Sequence, residues 1–469
     1  MTAIRFGTDG WRGVIAEDFT EAHALAVADA AGAAWRAEAP GTARPLVVGY
    51  DTRFNSRRVA GLVAERLAGH GWRVLLADRP VPTPAVSYAV TAEGAAGGLV
   101  VTASHNPARF NGIKLKAPFG GSATPEFTAR VEAALRDAGG PAGPGGRGGV
   151  ITVDLLPGYL ARLRSRLGVA AAPARPLRIV GDALHGATGD LLRTLVPAAW
   201  GEVRVLHASP DPLFGGLHPE PIPPHLDALA AAVRETGADL GLATDGDGDR
   251  LGVVAPDGRY VTPHVVMALL IRHLVRARGW RGEVAKGFAM GVQIDRVCDR
   301  LGLTLHVTPI GFKHVASLMR ARDILIGGEE SGGMGFRDHL PERDGLLSAL
   351  LVLEAVVASG ASLDALLRDL EAETGARAYR RRDHGLPPER GRALVERLDA
   401  APPDRFGTRR VTRCETLDGR KYWLEDGAWV LIRPSGTEPV LRVYVEAPTA
   451  EEVDELHAAA ETLLAPEIR

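Results

Sequence analysis

Short apolar runs that end in polar loops alternate with longer stretches of helical periodicity along this 469-residue chain. Residues 45–50 run into Asp51-Thr-Arg53, and residues 98–101 run into Thr102-Ala-Ser-His-Asn-Pro107. Residues 177–180 lead to Gly181-Asp-Ala-Leu-His-Gly-Ala-Thr-Gly189, and residues 240–243 to Thr244-Asp-Gly-Asp-Gly-Asp-Arg250. Such short apolar runs without polar alternation predict strands buried on both faces. Between them, residues 22–38, 56–69, 125–138, 226–236, 263–278, 293–301, 346–358 and 363–370 predict helices. Strand, helix and strand in repetition require largely parallel sheets covered by helices, so the class is α/β.

Residues 139–149, almost wholly Gly, Pro and Ala, predict a linker. Beyond about residue 373 the rhythm changes. A helix over 387–398 precedes short strands around 408–416, 421–424 and 429–433, with a hairpin turn at Glu425-Asp-Gly427. That order predicts an antiparallel sheet with helices on one face. The expected domains are three successive α/β domains at 1–145, 150–256 and 257–370, with mixed, largely parallel sheets, and a C-terminal α+β domain at 373–469.

The charge balance, 55 basic against 57 acidic side chains, provides no field to recruit nucleic acid or a membrane surface. Two cysteines, no signal-peptide pattern and no apolar run of about 18 residues point to a cytoplasmic chain without disulfides. Only five of the 55 basic side chains are lysines: Lys114, Lys116, Lys286, Lys313 and Lys421. A lysine kept against so strong an arginine preference is a candidate for work that guanidinium cannot do, proton transfer above all. Lys114, Lys286 and Lys313 fall in loops or at strand ends; Lys421 has no motif beside it.

Four loops carry chemistry. In the first, Ser104 and His105 leave a strand, Pro107 keeps Asn106 out of helix, and Asn111-Gly112 predicts a second turn that returns Lys114. Near the N-terminus, Gly7, Gly10 and Gly13 surround Arg12, a bend suited to an oxyanion. In the second, Asp245, Asp247 and Asp249 alternate with glycines; like charges so close are tolerable mainly around a cation. An EF-hand starting at Asp245 needs Gly and Glu where Arg250 and Pro256 stand, which leaves Mg²⁺ bound jointly with a phosphate, or a solvated acidic turn. In the third, Glu329 and Ser331 either offer a carboxylate and a hydroxyl to sugar hydroxyls or mark a glycine-bounded turn. In the fourth, Arg433-Pro-Ser-Gly-Thr437 combines a guanidinium, hydroxyls and flexible amides, a cradle for phosphate.

With these motifs in this order and spacing, the chain resembles the α-D-phosphohexomutase superfamily over essentially its whole length. The resemblance implies four domains around one central cleft. It implies Ser104 as the phosphoserine that gives and takes the phosphoryl group, Lys114 as general acid/base, and His105 and Arg12 assisting. It implies Mg²⁺ held by Asp245, Asp247, Asp249 and a phosphoserine oxygen, with Arg250 meeting the reacting phosphate. Glu329 and Ser331 would read the sugar; Arg433, Ser435, Gly436 and Thr437 would clamp the distal phosphate; Lys286 and Lys313 would be cleft lysines. The implied reaction interconverts hexose 1- and 6-phosphates through a hexose 1,6-bisphosphate in a monomer or homodimer. The Asp-Gly-Trp-Arg opening and the Glu-Glu-Ser-Gly-Gly loop favour glucose phosphates, with mannose phosphates as the alternative and glucosamine phosphates behind them. Many relatives carry His where Gly333 stands. A sugar-phosphate sensor and a phosphoserine hydrolase are the rival classes.

Overall fold

The computed structural model describes residues 4–7, 9–136, 148–168, 172–435 and 439–468. Its first sheet has the strand order Trp11–Val14, Phe110–Lys116, Gly97–Val101, Leu46–Tyr50, Arg73–Ala77, Gly149–Val153. The four strands from Gly97–Val101 to Gly149–Val153 are parallel; the other two are antiparallel additions. The helices Glu21–Glu38, Ser56–Gly69 and Thr83–Ala92 connect or cover them. Gly149–Val153 pairs with Arg73–Ala77. The chain therefore re-enters the first sheet after the Gly/Pro-rich stretch, and the passage into the second unit lies beyond Val153, later than that stretch suggests.

The second sheet runs Tyr260–Val261, Leu251–Val254, Leu240–Thr244, Leu177–Asp182, Gly201–Leu206, and the third Leu305–Thr308, Glu283–Gly287, Ile324–Gly328, Met334–Phe336. Both have a parallel centre and an antiparallel edge. The helix Gly345–Ser359 is apolar on every side and accordingly buried; Asp344 caps it by accepting from Leu347 N at 2.9 Å. The last sheet is antiparallel, six strands from Ala378–Gly385 to Arg405–Phe406. The helix Ala450–Ile468 packs against its strand Val440–Ala447. Three α/β units and an α+β unit match the expected class.

One continuous apolar core runs through the three α/β units, from Val47 and Val100 through Leu242 to Leu270 and Leu350. The C-terminal unit has its own core, including Leu398, Val430, Val443 and Leu456. A small cluster of Phe288, Val292, Trp429, Leu431 and Tyr444 joins the third unit to the fourth. Polar contacts cross the same seam, among them Ile310 N donating to Asp418 Oδ2 at 2.8 Å. Lys421 Nζ donates to Phe288 O at 3.0 Å, and Glu446 Oε1 accepts from Val292 N at 3.1 Å, at the start of the helix Val292–Leu301. Among the described residues no single helix is long and apolar enough to cross a membrane.

Candidate active site

The serine loop is the connection of a β-hairpin. Gly97–Val101 pairs antiparallel with Phe110–Lys116, with Val100 opposite Lys114. The pairing brings Lys114 back to the loop, but Asn111 and Gly112 lie inside the second strand rather than in a turn. Gly112 is needed for close approach: a Cβ there would overlap the carbonyl oxygen of Trp11 on the neighbouring strand. Ser104 has φ 52°, a left-handed conformation that costs a residue with a Cβ on the order of 1–3 kcal/mol unless its surroundings impose it. Arg53 imposes it. Its guanidinium donates to the carbonyls of Ser104 and Asn106 at 2.6 Å and of Pro107 and Phe110 at 2.9 Å, and is held by Asp51 at 3.1 Å. Asp51 in turn accepts from Thr102 Oγ1 and Ser56 Oγ.

Ser104 Oγ donates to Asp245 Oδ2 at 2.9 Å, which joins the first loop to the second. The aspartate loop links the antiparallel strands Leu240–Thr244 and Leu251–Val254, so its residues are forced into a tight reversal. Asp245 Oδ1 accepts from the backbone N–H of Asp249 and Arg250. Thr83 Oγ1 donates to Asp247 Oδ2 at 2.6 Å. Asp245, Asp247 and Asp249 are fully buried, each presenting one oxygen within 4.8 Å of the others. Burial and the charges of Asp249 and Asp247 push the Asp245 carboxyl well above its usual range. Among the described residues, Asp247 Oδ1 and Asp249 Oδ1 are buried without a hydrogen-bond partner. Hard oxygen donors, convergent negative charge and unpartnered buried oxygens together fit a divalent cation of the Mg²⁺ kind.

Lys114 lies 2.7 Å from Asp9 and 2.8 Å from both Asp247 and Asp249, with 1 % of its side chain exposed. Burial opposes its charge, but Asp247, Asp249 and Asp9 outweigh it and hold the ammonium well above its ordinary range. Arg343 completes the network by donating to Asp9 and, at 2.7 Å, to Asp249. Asp9, Lys114, Asp249 and Arg343 thus bring the first three units to one point. His105 lies close by on the serine loop. Burial, with Arg250 and Arg12 adding to it, lowers its pKa well below the usual value, so the ring is neutral, and its Nδ1 has no partner among the described residues. Arg12 donates to Asn106 Oδ1 at 2.8 Å.

Above this floor opens a cleft of about 1010 Å³ walled by all four units. Arg12, His105 and Asn106 line it from the first unit, Glu220 and Arg250 from the second. Lys313, Glu329, Ser331 and Arg343 line it from the third, and Arg381, Arg433 and Ser435 from the fourth. Glu329 and Ser331 share the cleft through a tight turn, not an extended segment: Glu329 N donates to Gly333 O and Gly332 N to Glu329 O. Burial pushes the Glu329 carboxyl up to about 7, even though Arg343 opposes the rise. Arg433 is oriented by Asp418, which accepts from its Nε at 2.9 Å. Gly436 and Thr437 lie outside the described residues.

Lys286 does not reach the cleft. It is buried, and its ammonium is taken up by Asp295 and the Gly291 carbonyl beside the seam to the fourth unit. A strand-end lysine can point to either side of its sheet, and here packing aims it away. Several residues of the site carry no motif in the sequence. Arg343 is a single charge in a segment without a motif, Glu220 sits in a Pro-rich crossover, and Arg381 sits on a strand of consecutive arginines. Asp9 stands in the Asp-Gly-Trp-Arg opening, which gave it no role of its own, and Arg53 ends a polar loop after a buried strand.

Models of the phosphoglucomutase/phosphomannomutase family match the chain in four consecutive parts: α/β/α domain I at residues 3–139, domain II at 157–258, domain III at 262–373 and the C-terminal domain at 388–463. A phosphoglucosamine mutase from Frankia alni is 36% identical, covering 96% of this chain and 95% of its own. A phosphoglucomutase/phosphomannomutase from Thermococcus kodakarensis is 31% identical, with 96% of each chain covered. A crystal structure from Thermus thermophilus, provisionally named a phosphomannomutase, superimposes with a TM-score of 0.87 at 37% identity over 99% of each chain.

Proposed function

The chain belongs to the phosphoglucomutase/phosphomannomutase family, and from that premise we propose that it moves a phosphoryl group between the C1 and C6 oxygens of a hexose monophosphate, with Ser104 as the relay. The observation that carries this reading is the serine hydroxyl set 2.9 Å from Asp245, behind a cleft lined by cationic groups from all four units. Phospho-Ser104 would lose its phosphoryl group to a sugar hydroxyl. The P–Oγ bond breaks as the new P–O bond forms, giving a hexose 1,6-bisphosphate that returns its other phosphate to Ser104 after turning over. Phosphoryl transfer depends mainly on alignment and on neutralising charge.

Asp245, Asp247 and Asp249 would hold Mg²⁺, with a phosphoserine oxygen. The cation would supply neutralisation of the transferring oxygens. Lys114, an ammonium held by Asp9, Asp247 and Asp249, would act as general acid/base at the serine oxygen once a bound cation draws on the two loop aspartates. His105, a neutral ring next to Ser104 on the same loop, would assist at the phosphoserine. Arg12 keeps the serine loop in register through Asn106, and Arg250 would meet the reacting phosphate. Lys313 adds charge to the cleft wall, and Arg433 and Ser435, with Gly436 and Thr437, would receive the phosphate at the far end of the sugar.

Glucosamine phosphates are the first substrates to test, since the Frankia relative is named for them and the acceptors Glu329, Glu330 and Glu220 on the cleft wall suit an ammonium-bearing sugar. This ordering departs from the glucose preference drawn from the two loop sequences. Glucose and mannose phosphates come next, on the strength of the Thermococcus relative. The test is kcat/KM for the 1-phosphates of all three sugars with Mg²⁺ and a trace of the 1,6-bisphosphate, together with mass spectrometry of the Ser104 peptide. Isomerisation with phosphate on Ser104 is expected. Release of inorganic phosphate without isomerisation would convert the reading to a hydrolase.

A further inference from the structure

Gly333 and Arg343 share one space. The stem of Arg343 lies over Gly333, and a Cβ at that position would overlap the arginine Cδ and Cγ. Glycine at 333 is therefore the condition for the arginine's path across the sugar loop. At the end of that path the guanidinium belongs to a residue only 4 % exposed and meets a carboxylate from each α/β unit. It donates to Asp9 of the first and to Asp249 of the second, and Nη1 lies 3.8 Å from Glu329 Oε2 of the third. The group also sits over the ring of Phe312, 5.6 Å from its centroid. A planar fork with five donors can serve several acceptors at once, and a lysine ammonium at the same place cannot span them.

We propose that Arg343 is a positioning residue for the phosphoryl transfer, one that fixes the distance between the metal-binding loop and the sugar-reading loop, and that Gly333 is the gap that admits it. The inference rests on the mutase reading above. Arg343 acts through Asp249 and Glu329: it holds the first against the transferring phosphate and keeps the second an acceptor of sugar hydroxyls. The side-chain volume that a residue at 333 would otherwise present to the sugar comes in this chain from Arg343. Residues that orient groups at a metal or phosphate site in this way typically cost about 10–100-fold in activity when removed.

Gly333→Ala removes no charged group and tests the shared space directly, because its Cβ would force the Arg343 stem aside. It is expected to raise KM for the hexose phosphate and lower kcat, with a combined loss of about 10–100-fold. Arg343→Met is expected to do the same, and Arg343→Lys to recover kcat more than KM, because an ammonium can meet Asp249 without reaching Glu329. In an Arg343→Ala background the Gly333→Ala change should have no further effect on melting temperature or turnover, whereas alone it lowers both. An additive pair, or Gly333→Ala with unaltered KM and kcat, would overturn the inference; so would variants that shift only the melting temperature. Failure of the unsubstituted protein to isomerise any hexose phosphate would sink the mutase reading itself, a result distinct from these.

Discussion

Replacing Lys421 with methionine should remove a pH dependence of stability that belongs to the seam between the third and fourth units. Lys421 is buried, stacked 3.9 Å from the centroid of Trp429 and hydrogen-bonded to the Phe288 carbonyl. Burial lowers its pKa from 10.5 to about 7, with Lys286 adding to the fall and Glu446, Asp295 and Glu415 opposing it. His264, itself buried nearby, is neutral. Between pH 7 and 10.5 the unfolded chain therefore binds more protons at this site than the folded chain does, and stability rises with pH across that window. With these values the group destabilises the fold by roughly 4 kcal/mol at pH 7 and about 2 kcal/mol at pH 9. Methionine cannot titrate. It forgoes the bond to Phe288, a constant loss of about 1–3 kcal/mol at every pH. Denaturant unfolding of both proteins, followed by tryptophan fluorescence at pH 7, 8 and 9, isolates the titrating part as their difference. That difference should move by about 2 kcal/mol in favour of the native lysine between pH 7 and pH 9. Parallel curves would refute the assignment and mean that Lys421 keeps an ordinary pKa in the folded protein.

Ser104→Ala should abolish isomerisation and the phosphopeptide together while leaving the melting temperature nearly unchanged, because its hydroxyl bonds to Asp245 alone among the described residues. Thr83→Val strips Asp247 of its side-chain hydroxyl donor and should weaken Mg²⁺ binding by about 10–100-fold, measured by titration calorimetry. Chelation with EDTA should stop turnover, with recovery on adding Mg²⁺. Glu329 is raised to about 7, so its carboxylate is lost as pH falls through neutrality; KM for the sugar phosphate should climb below pH 7, and Glu329→Gln should flatten that limb.

Elements whose signal is local were legible in the sequence. The buried strands Leu46–Tyr50, Gly97–Val101 and Leu240–Thr244 are short apolar runs, and Ser104, the three aspartates and Arg433 sit in contiguous motifs. What escaped depends on distant partners. Ala378–Gly385 is a strand because Val440–Ala447 pairs with it, although its Arg-Arg-Arg-Asp run has no apolar alternation of its own. Asn111-Gly112 carries a turn signal that the sheet overrides. Arg343 acquires meaning only where three units meet, and there Asp9 gains a partner that its own motif did not announce. The scarcity of lysine pointed to something real but broader than catalysis. Lys114, Lys116, Lys286 and Lys421 are all buried, and only Lys114 among those four lies against the aspartate loop. An ammonium enclosed by carbonyls and carboxylates is as hard to replace with guanidinium in a seam as in an active site.

The large apolar core of the α/β units and the core of the C-terminal unit, bridged by the small cluster around Phe288 and Trp429, predict two cooperative units rather than one. In the free protein the C-terminal unit can lose its structure while the three fused units keep theirs, so a calorimetric scan should show two overlapping transitions. A sugar phosphate gripped at one end by the serine floor and at the other by Arg433 would tie the two units together. Saturation should raise the earlier transition and draw both into a single peak. The substrate would then serve as the missing piece of interior between them, and its departure would return each to its own melting behaviour.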